Sequence, residues 1–179
     1  RFRLAEQDSA ADRGTATHQF MQFCDLDHLE KNGVEAEIKR MTDLGFLSPS
    51  VASLVNGYAI KRFLVSDLFK SLKNARSISR ELRFNVHLPA SAFTEEKDSS
   101  LSGERVLVQG VIDCLFETSD GKIVLLDYKT DYVPKEMSDT DAERMLIDRH
   151  VTQLSYYAAA CKSIIGKGVD KIIIYSFAL

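Results

Sequence analysis

The sequence lacks the features that would tie it to a membrane, an oxidising compartment or a zinc cluster. Its 179 residues contain no apolar run long enough to cross a bilayer, and the N-terminal segment lacks the apolar core of a secretory leader. Three cysteines, Cys24, Cys114 and Cys161, lie far apart, whereas zinc or iron-sulfur ligation uses closely spaced pairs. We therefore expect a soluble, cytoplasmic protein with buried thiols, no iron-sulfur cluster and no membrane partner.

A large positive charge and a nucleotide-binding loop are also missing. Lys and Arg number 23 against 26 Asp and Glu, so the chain as a whole is not built to hold nucleic acid by phosphate neutralisation alone. Any contact with DNA must be local, metal-mediated or shared with a larger protein. No Gly-x-x-x-x-Gly-Lys-Ser/Thr loop occurs. Because the chain starts at Arg1 with a polar segment, we expect residues 1–10 to be a linker within a longer protein.

Residues 11–179 have the composition of one ordinary globular domain, and the first part is predicted to be helical. Ala16, Phe20 and Phe23 share a helical face in residues 11–24. A second helix is predicted from Gly33 to Leu44, with Gly45 as its stop. Further helix is predicted from Pro49 to about Lys73, with a break at Ser66-Asp67.

After residue 76 the pattern changes to alternation, which is typical of strands. The predicted order is a strand at 77–88, an exposed loop at 91–103, strands at 105–116 and 122–130, a helix at 138–165 and a strand at 171–178. This order of helices, three strands, helix and strand indicates an α/β (α+β) fold with a central mixed sheet flanked by helices.

The hairpin between the second and third strands carries the chemistry. If its loop is Ser119-Asp120-Gly121, Asp113 falls opposite Asp127, whereas a two-residue turn would place Asp113 opposite Tyr128. Two facing carboxylates repel each other unless a cation lies between them, and Lys129 projects from the same face as Asp127. Carboxylate oxygens are the ligands that Mg²⁺ prefers, so this pattern predicts a magnesium site.

A plainer interpretation is that Asp113 and Asp127 pair with lysines on a solvated face. The residues beside them, including Ile112, Cys114 and Leu126, are apolar. Such runs are typical of strands covered on both faces, where an uncompensated carboxylate is costly. The apolar neighbours therefore favour the metal site.

Four motifs in order resemble the PD-(D/E)XK nucleases of the RecB type. They are Gly14-Thr-Ala-Thr-His18, Gly110-Val-Ile-Asp113, Asp127-Tyr-Lys-Thr130 and Gln153-Leu-Ser-Tyr-Tyr157. The resemblance implies a restriction-endonuclease-like core. The sequence Leu125-Leu-Asp-Tyr-Lys-Thr-Asp131, with no cysteine quartet around it, is most similar to the C-terminal nuclease domains of the AddA subfamily. The AddB and Cas4-like branches of the family carry an iron-sulfur cluster.

The resemblance also implies roles for single residues. His18, Asp113 and Asp127, with the backbone carbonyl of Tyr128, would be metal ligands, and Lys129 would be the catalytic lysine. The helix residues Gln153 and Tyr157, four apart and on one face, would contact DNA or support the site, although packing against the sheet would also explain them.

For His18 and Glu81 a purely structural role is an alternative to a role in the site. A lone histidine such as His18 on an amphipathic helix is more often structural than a ligand. Glu81 lies where the family has an acid, but Arg80 and Arg83 make a surface ion pair equally good, so we leave Glu81 outside the expected site.

The function implied is a deoxyribonuclease that uses Mg²⁺, with Mn²⁺ as a substitute. It would act as an exonuclease on the single strand delivered by a helicase during double-strand break repair and recombination. The partners implied are DNA and an AddB-like subunit, and ATP would serve only the missing motor. Two alternatives stay open: a catalytically silent DNA-guiding or subunit-docking module, and a stand-alone resolvase or restriction-type nuclease.

Overall fold

A computed structural model describes residues 9–92, 103–134 and 136–178. Across these residues the elements follow the predicted order of helices, three strands, helix and strand. Their bounds are α1 (Ala10–Phe23), α2 (Leu26–Asn32), α3 (Val34–Asp43), α4 (Pro49–Leu54), α5 (Gly57–Leu64), α6 (Asp67–Lys73), β1 (Ser77–Pro89), a 3₁₀ turn (Ala90–Ala92), β2 (Arg105–Glu117), β3 (Ile123–Lys129), α7 (Asp139–Ile165) and β4 (Lys171–Ser176). Residues 93–102 of the predicted loop lie outside the described residues.

The chain forms two compact units. Of the described residues, the first unit comprises 9–73, 128–132 and 176–178, and the second comprises 74–92, 103–127, 133–134 and 136–175. Strand β3 passes from the second unit to the first after Asp127. That residues 11–179 act as one domain stays a prediction.

Helix α1 of the first unit begins earlier than predicted. The Ser9 hydroxyl accepts the backbone N–H of Asp12, and the Asp12 carboxylate accepts the backbone N–H of Ser9, a reciprocal cap that fixes the start of a helix. The last residues of the predicted linker 1–10 therefore belong to the helix and its cap, and residues 1–8 lie outside the described residues. Phe20 is buried as predicted, but Phe23 is 37% exposed.

The remaining helices differ from the prediction in three places. Helix α2 was not predicted, although Asp25 caps it by accepting the N–H groups of residues 27 and 28. The helical stretch from Pro49 has an additional break, because the Asn56 side chain accepts the N–H of Ala59 and starts α5. Leu44, the last residue of the second predicted helix, lies just outside α3 and is 61% exposed.

A buried carboxylate holds α3 against the residues around α2. Glu37 is 0% exposed; it accepts hydrogen bonds from Arg40 at 2.6 and 2.8 Å and from the backbone N–H of Asp25 at 2.7 Å, and His28 Nδ1 lies 2.7 Å away. Burial alone would raise the pKa of Glu37, but these hydrogen bonds outweigh it, and the pKa lies below its ordinary value. The cluster is therefore held by charge-assisted bonds.

The strands form one sheet in the order β1-β2-β3-β4. β1 pairs antiparallel with β2, and β2 with β3. β4 runs parallel to β3, because Asp170 N–H donates to Ile123 O and Phe177 N–H donates to Lys129 O, so residue numbers rise together. The long crossover through α7 is the connection that parallel neighbours require. The sheet is mixed, as the order of elements predicted.

The β2–β3 hairpin has the three-residue loop. Thr118 N–H donates to Lys122 O at 2.9 Å, Gly121 has a φ of 89°, and Cys114 pairs with Leu126. The two-residue turn is therefore wrong. In β3, residues 123–128 are all buried, as expected for a strand that is covered on both faces.

Helix α7 packs on the second unit's sheet and has the predicted ends. Ser138 caps its first turn, and Gly166, with a φ of 69°, closes its last turn. Its Leu154 and Cys161 lie in one core with Leu125 of β3. All three cysteines are buried, and burial raises the pKa of Cys161 to about 11, so this thiol stays protonated at neutral pH. Among the described residues, no helix has both the length and the apolar character that crossing a membrane requires.

Candidate active site

Two carboxylates oppose each other where the β2–β3 ladder ends. The last pair is Cys114 with Leu126, so the same register places Asp113 and Asp127, the next residues outward, at opposite positions of the two strands. Asp127 is 4% exposed, and Asp113 is half-buried. The interpretation that both acids lie on a solvated face is therefore wrong for Asp127.

A third carboxylate, Glu81, lies beside Asp113. The pairs Arg80–Cys114 and Leu82–Ile112 flank the position at which Glu81 and Asp113 would pair. Glu81 has a φ of 50°, a left-handed conformation that costs a residue other than glycine about 1–3 kcal/mol. A carboxylate oxygen of Glu81 and one of Asp113 lie within 4.8 Å of each other.

Glu81 is the residue that the sequence reasoning left out. Its neighbours Arg80 and Arg83 made a surface ion pair equally plausible there, whereas the structure half-buries Glu81 next to Asp113. What brings Glu81 opposite Asp113 is the β1–β2 register, which pairs Pro89 with Arg105. A long segment separates these two residues in the chain, so the sequence alone gives no signal for this register.

In the first unit, an aromatic cluster fixes the residue that follows Asp127. Tyr128 is 3% exposed, and its ring lies 6.2 Å from Phe63, 5.7 Å from Phe177 and 6.3 Å from His18, between centroids. Neighbouring strand side chains point to opposite faces, so Asp127 and Lys129 point away from the face that Tyr128 uses. The cluster therefore holds the backbone from which both project.

Lys129 ends β3. It is half-buried, and its carbonyl accepts the N–H of Phe177, the residue that follows β4, at 2.8 Å, which holds the backbone of Lys129 in place. Alternation along the strand puts the Lys129 side chain on the same face as Asp127.

Helix α1 brings His18 to Tyr128 through a close approach at Gly14. A Cβ atom added to Gly14 would lie 2.8 Å from Thr130 Oγ1, closer than real Cβ contacts allow. The missing side chain lets α1 pass next to the residue that follows Lys129. His18, one turn further along α1 and half-buried, meets the Tyr128 ring edge-on at an interplanar angle of 82°.

Gln153 and Tyr157 form a pair on α7, as their spacing predicted. Gln153 Nε2 donates to Tyr157 Oη at 2.9 Å, and this hydrogen bond is exposed. The Tyr157 ring meets Phe84 of β1 edge-on, with 5.2 Å between centroids. The ring therefore packs on the sheet while the polar groups stay exposed, and a role of the pair in contacting DNA or supporting the site stays a prediction.

The donor set of the second unit fits a hard divalent cation. Glu81 and Asp113 offer neighbouring carboxylate oxygens, and Asp127 faces Asp113. Like charges this close destabilise the fold unless a cation lies among them, and oxygen ligands are those that Mg²⁺ and Mn²⁺ take.

Comparison with known proteins identifies the family of the chain. The model of the PD-(D/E)XK nuclease superfamily matches residues 1–175. The chain is 36% identical over 173 residues to the AddA component of the ATP-dependent helicase/nuclease of Clostridium botulinum strain 657 / Type Ba4, covering 96% of this chain and 13% of that protein. It is 39% identical over 168 residues to the corresponding component from Acetivibrio thermocellus, covering 93% of this chain and 13% of that protein. The family match covers nearly the whole chain, and the chain belongs to the PD-(D/E)XK nuclease superfamily.

Proposed function

We propose that this chain is a metal-dependent deoxyribonuclease that hydrolyses phosphodiester bonds in single-stranded DNA. The observation that carries the proposal is the end of the β2–β3 hairpin, where the register sets the buried Asp127 opposite Asp113 and a carboxylate oxygen of Glu81 lies within 4.8 Å of one of Asp113. A scaffold gains nothing from carboxylates placed this close together, because their mutual repulsion only destabilises it.

We assign each residue a role in this reaction. Asp113, Asp127, His18 and the carbonyl of Tyr128 hold Mg²⁺ or Mn²⁺, and Glu81 adds a carboxylate oxygen beside Asp113. A divalent ion at such a site supplies a Lewis acid for the phosphoryl oxygens. His18 supports this assignment because it touches Tyr128, the residue after Asp127.

Lys129 acts on the reacting groups. From the Asp127 face of β3, its ammonium group orients the attacking water and offsets the negative charge that grows on the phosphoryl oxygens. The water oxygen bonds to phosphorus, the phosphorus–oxygen bond to the leaving nucleotide breaks, and the proton from water ends on the solvent or the leaving oxygen. Gln153 and Tyr157, an accessible pair on α7, bind the DNA backbone nearby.

The longer context is part of the proposal. The chain spans 13% of the length of the two relatives compared above, which are named as subunits of an ATP-dependent helicase/nuclease. We propose that residues 11–179 form the nuclease domain of such a protein in the cytoplasm. There it degrades as an exonuclease the strand that a helicase delivers during double-strand break repair and recombination. ATP hydrolysis belongs to the remainder of that protein, and an AddB-like subunit is its partner.

Cleavage of end-labelled single-stranded DNA tests the proposal. The chain is assayed with Mg²⁺, Mn²⁺, Ca²⁺ or EDTA, and cleavage is expected with Mg²⁺ or Mn²⁺ only. Asp127→Asn should abolish it, whereas Asp120→Asn, which removes an exposed carboxylate from the turn of the same hairpin, should not. Lys129→Ala should lower turnover at least 100-fold without weakening Mn²⁺ binding, while Lys162→Ala, on the exposed surface of α7, should match the wild type.

Four outcomes would contradict the proposal. Wild-type cleavage by Asp127→Asn would remove the site from the hairpin. Normal turnover by Lys129→Ala would remove the lysine from the mechanism. A folded chain that binds the DNA but never cuts it would favour the silent DNA-guiding or docking module, and sequence-defined cutting of duplex DNA would favour a stand-alone restriction-type nuclease.

A further inference from the structure

Gly110 lies in β2 at a place where the backbone does not require glycine. Its φ is negative, as in any strand residue, and glycine weakens a strand interior because it has no side chain to pack. The reason for glycine here must therefore lie in what surrounds the missing Cβ.

Two aromatic rings occupy the space that a side chain would need. A Cβ atom added to Gly110 would lie 2.7 Å from Cζ and 2.9 Å from Cε1 of Phe84, and 2.9 Å from Cε1 of Tyr157. Phe84 is the β1 residue paired directly with Gly110. The two rings meet edge-on at an interplanar angle of 83°, an arrangement that aromatic pairs prefer.

The methyl group would crowd both rings, and Tyr157 has more room to move than Phe84. Phe84 is 7% exposed and lies in the core with Ile112 and Leu154, whereas Tyr157 is half-buried at the surface of α7. A methyl group at residue 110 would push Tyr157 outward and break the bond by which its hydroxyl accepts the Gln153 amide.

We infer that Gly110 is a positioning residue for DNA binding: by leaving room for the edge-on contact of Phe84 and Tyr157, it holds Tyr157 and, through it, Gln153 where both contact a phosphate. The inference rests on the proposed function. With Gln153 Nε2 donating to Tyr157 Oη, the pair retains the hydroxyl proton and the second amide proton as donors, and phosphate oxygens accept such donors. Gly110 lies three residues before Asp113, roughly 10 Å along the strand, so this phosphate is a neighbour of the one that is cut.

Kinetics on single-stranded DNA of several lengths tests the inference. Gly110→Ala should raise KM about tenfold, the loss expected for one to two neutral hydrogen bonds, while kcat and Mn²⁺ affinity stay within about twofold. Gly168→Ala is the matched control, because Gly168 also has a negative φ and a Cβ there meets nothing within 4 Å; its KM should equal that of the wild type.

A double variant separates positioning from general damage. Phe84→Leu removes Cζ and Cε1, so the Tyr157 ring no longer has to make all the room for the methyl group, and Gly110→Ala combined with Phe84→Leu should have a lower KM than Gly110→Ala alone. Tyr157→Phe keeps the ring and removes only the hydroxyl, and it should raise KM as Gly110→Ala does, which keeps the test decisive if Gly110→Ala does not fold.

The inference is overturned if Gly110→Ala or Tyr157→Phe keeps the wild-type KM, if the folded double variant is no better than Gly110→Ala, or if the loss falls on kcat. Failure of the proposed function looks different, because the wild-type chain then does not cut DNA at all. In that case fluorescence anisotropy with labelled DNA and Ca²⁺ still compares the affinities of the same variants.

Discussion

Asp127→Asn should stabilise the protein in the absence of metal while it abolishes cleavage. Asp127 is 4% exposed and faces Asp113. At the ~5 Å typical of directly opposed strand residues and an effective dielectric constant of about 20, Coulomb's law gives a repulsion of about 3 kcal/mol. Lys129 on the same face offsets part of this repulsion, so we expect a net gain of about 1 kcal/mol, which raises the Tm of a domain of this size by about 2–4 °C.

Thermal melts with EDTA and with saturating Mn²⁺ measure this effect. In EDTA the variant should melt above the wild type. With Mn²⁺ at 100 times its Kd the wild type gains about 2.7 kcal/mol, so the order should reverse. Asp120→Asn, whose carboxylate binds Lys122 and the Thr118 hydroxyl in the turn, should respond to Mn²⁺ as the wild type does. An Asp127→Asn variant that melts below the wild type in EDTA would refute the view that the acids repel each other in the metal-free fold.

Two further predictions concern the first unit. Gly14→Ala should lower stability despite a gain in helix propensity of about 0.5–1 kcal/mol, because the new Cβ would lie 2.8 Å from Thr130 Oγ1 and overpacking costs about 1–3 kcal/mol. Urea unfolding should show that Gly14→Ala combined with Thr130→Ala recovers the lost stability. If stability does not recover, the contact with Thr130 is not the cause of the loss. Glu37→Gln should cost about 3 kcal/mol at pH 7, since it leaves Arg40 without its buried partner. The folded pKa of Glu37 lies below its ordinary value of 4.5, so its contribution is complete above about that pH and is lost as the pH falls through the folded pKa. The stability gap between wild type and Glu37→Gln should narrow in acid, and a gap that widens would contradict the charge-based account.

The parts of the fold that the sequence predicted well are those set by neighbouring residues. The apolar runs and the glycine at residue 121 located the β2–β3 hairpin, and counting along it gave two registers, of which the three-residue loop that sets Asp113 opposite Asp127 is the one that forms. The ends of α7 followed in the same way from Ser138 and a glycine at residue 166.

The parts that the sequence did not predict depend on distant contacts. Glu81 reaches Asp113 through the β1–β2 register, which a long intervening segment hides, and through a left-handed backbone that no local signal announces. Phe23 follows the buried periodicity of α1 yet lies at the surface, where it stacks on Phe46 at 5.1 Å. Periodicity identifies a helix face, but the neighbouring elements decide how far along the helix that face is covered.

At residue 81, the backbone conformation and the proposed chemistry favour different amino acids. Glycine or asparagine would adopt a φ of 50° with less strain, yet neither carries a carboxylate. A laboratory selection for heat resistance alone would therefore tend to discard this glutamate, and a selection for DNA cleavage would retain it. Variant libraries designed to raise the thermal stability of this nuclease should keep Glu81 and vary other residues.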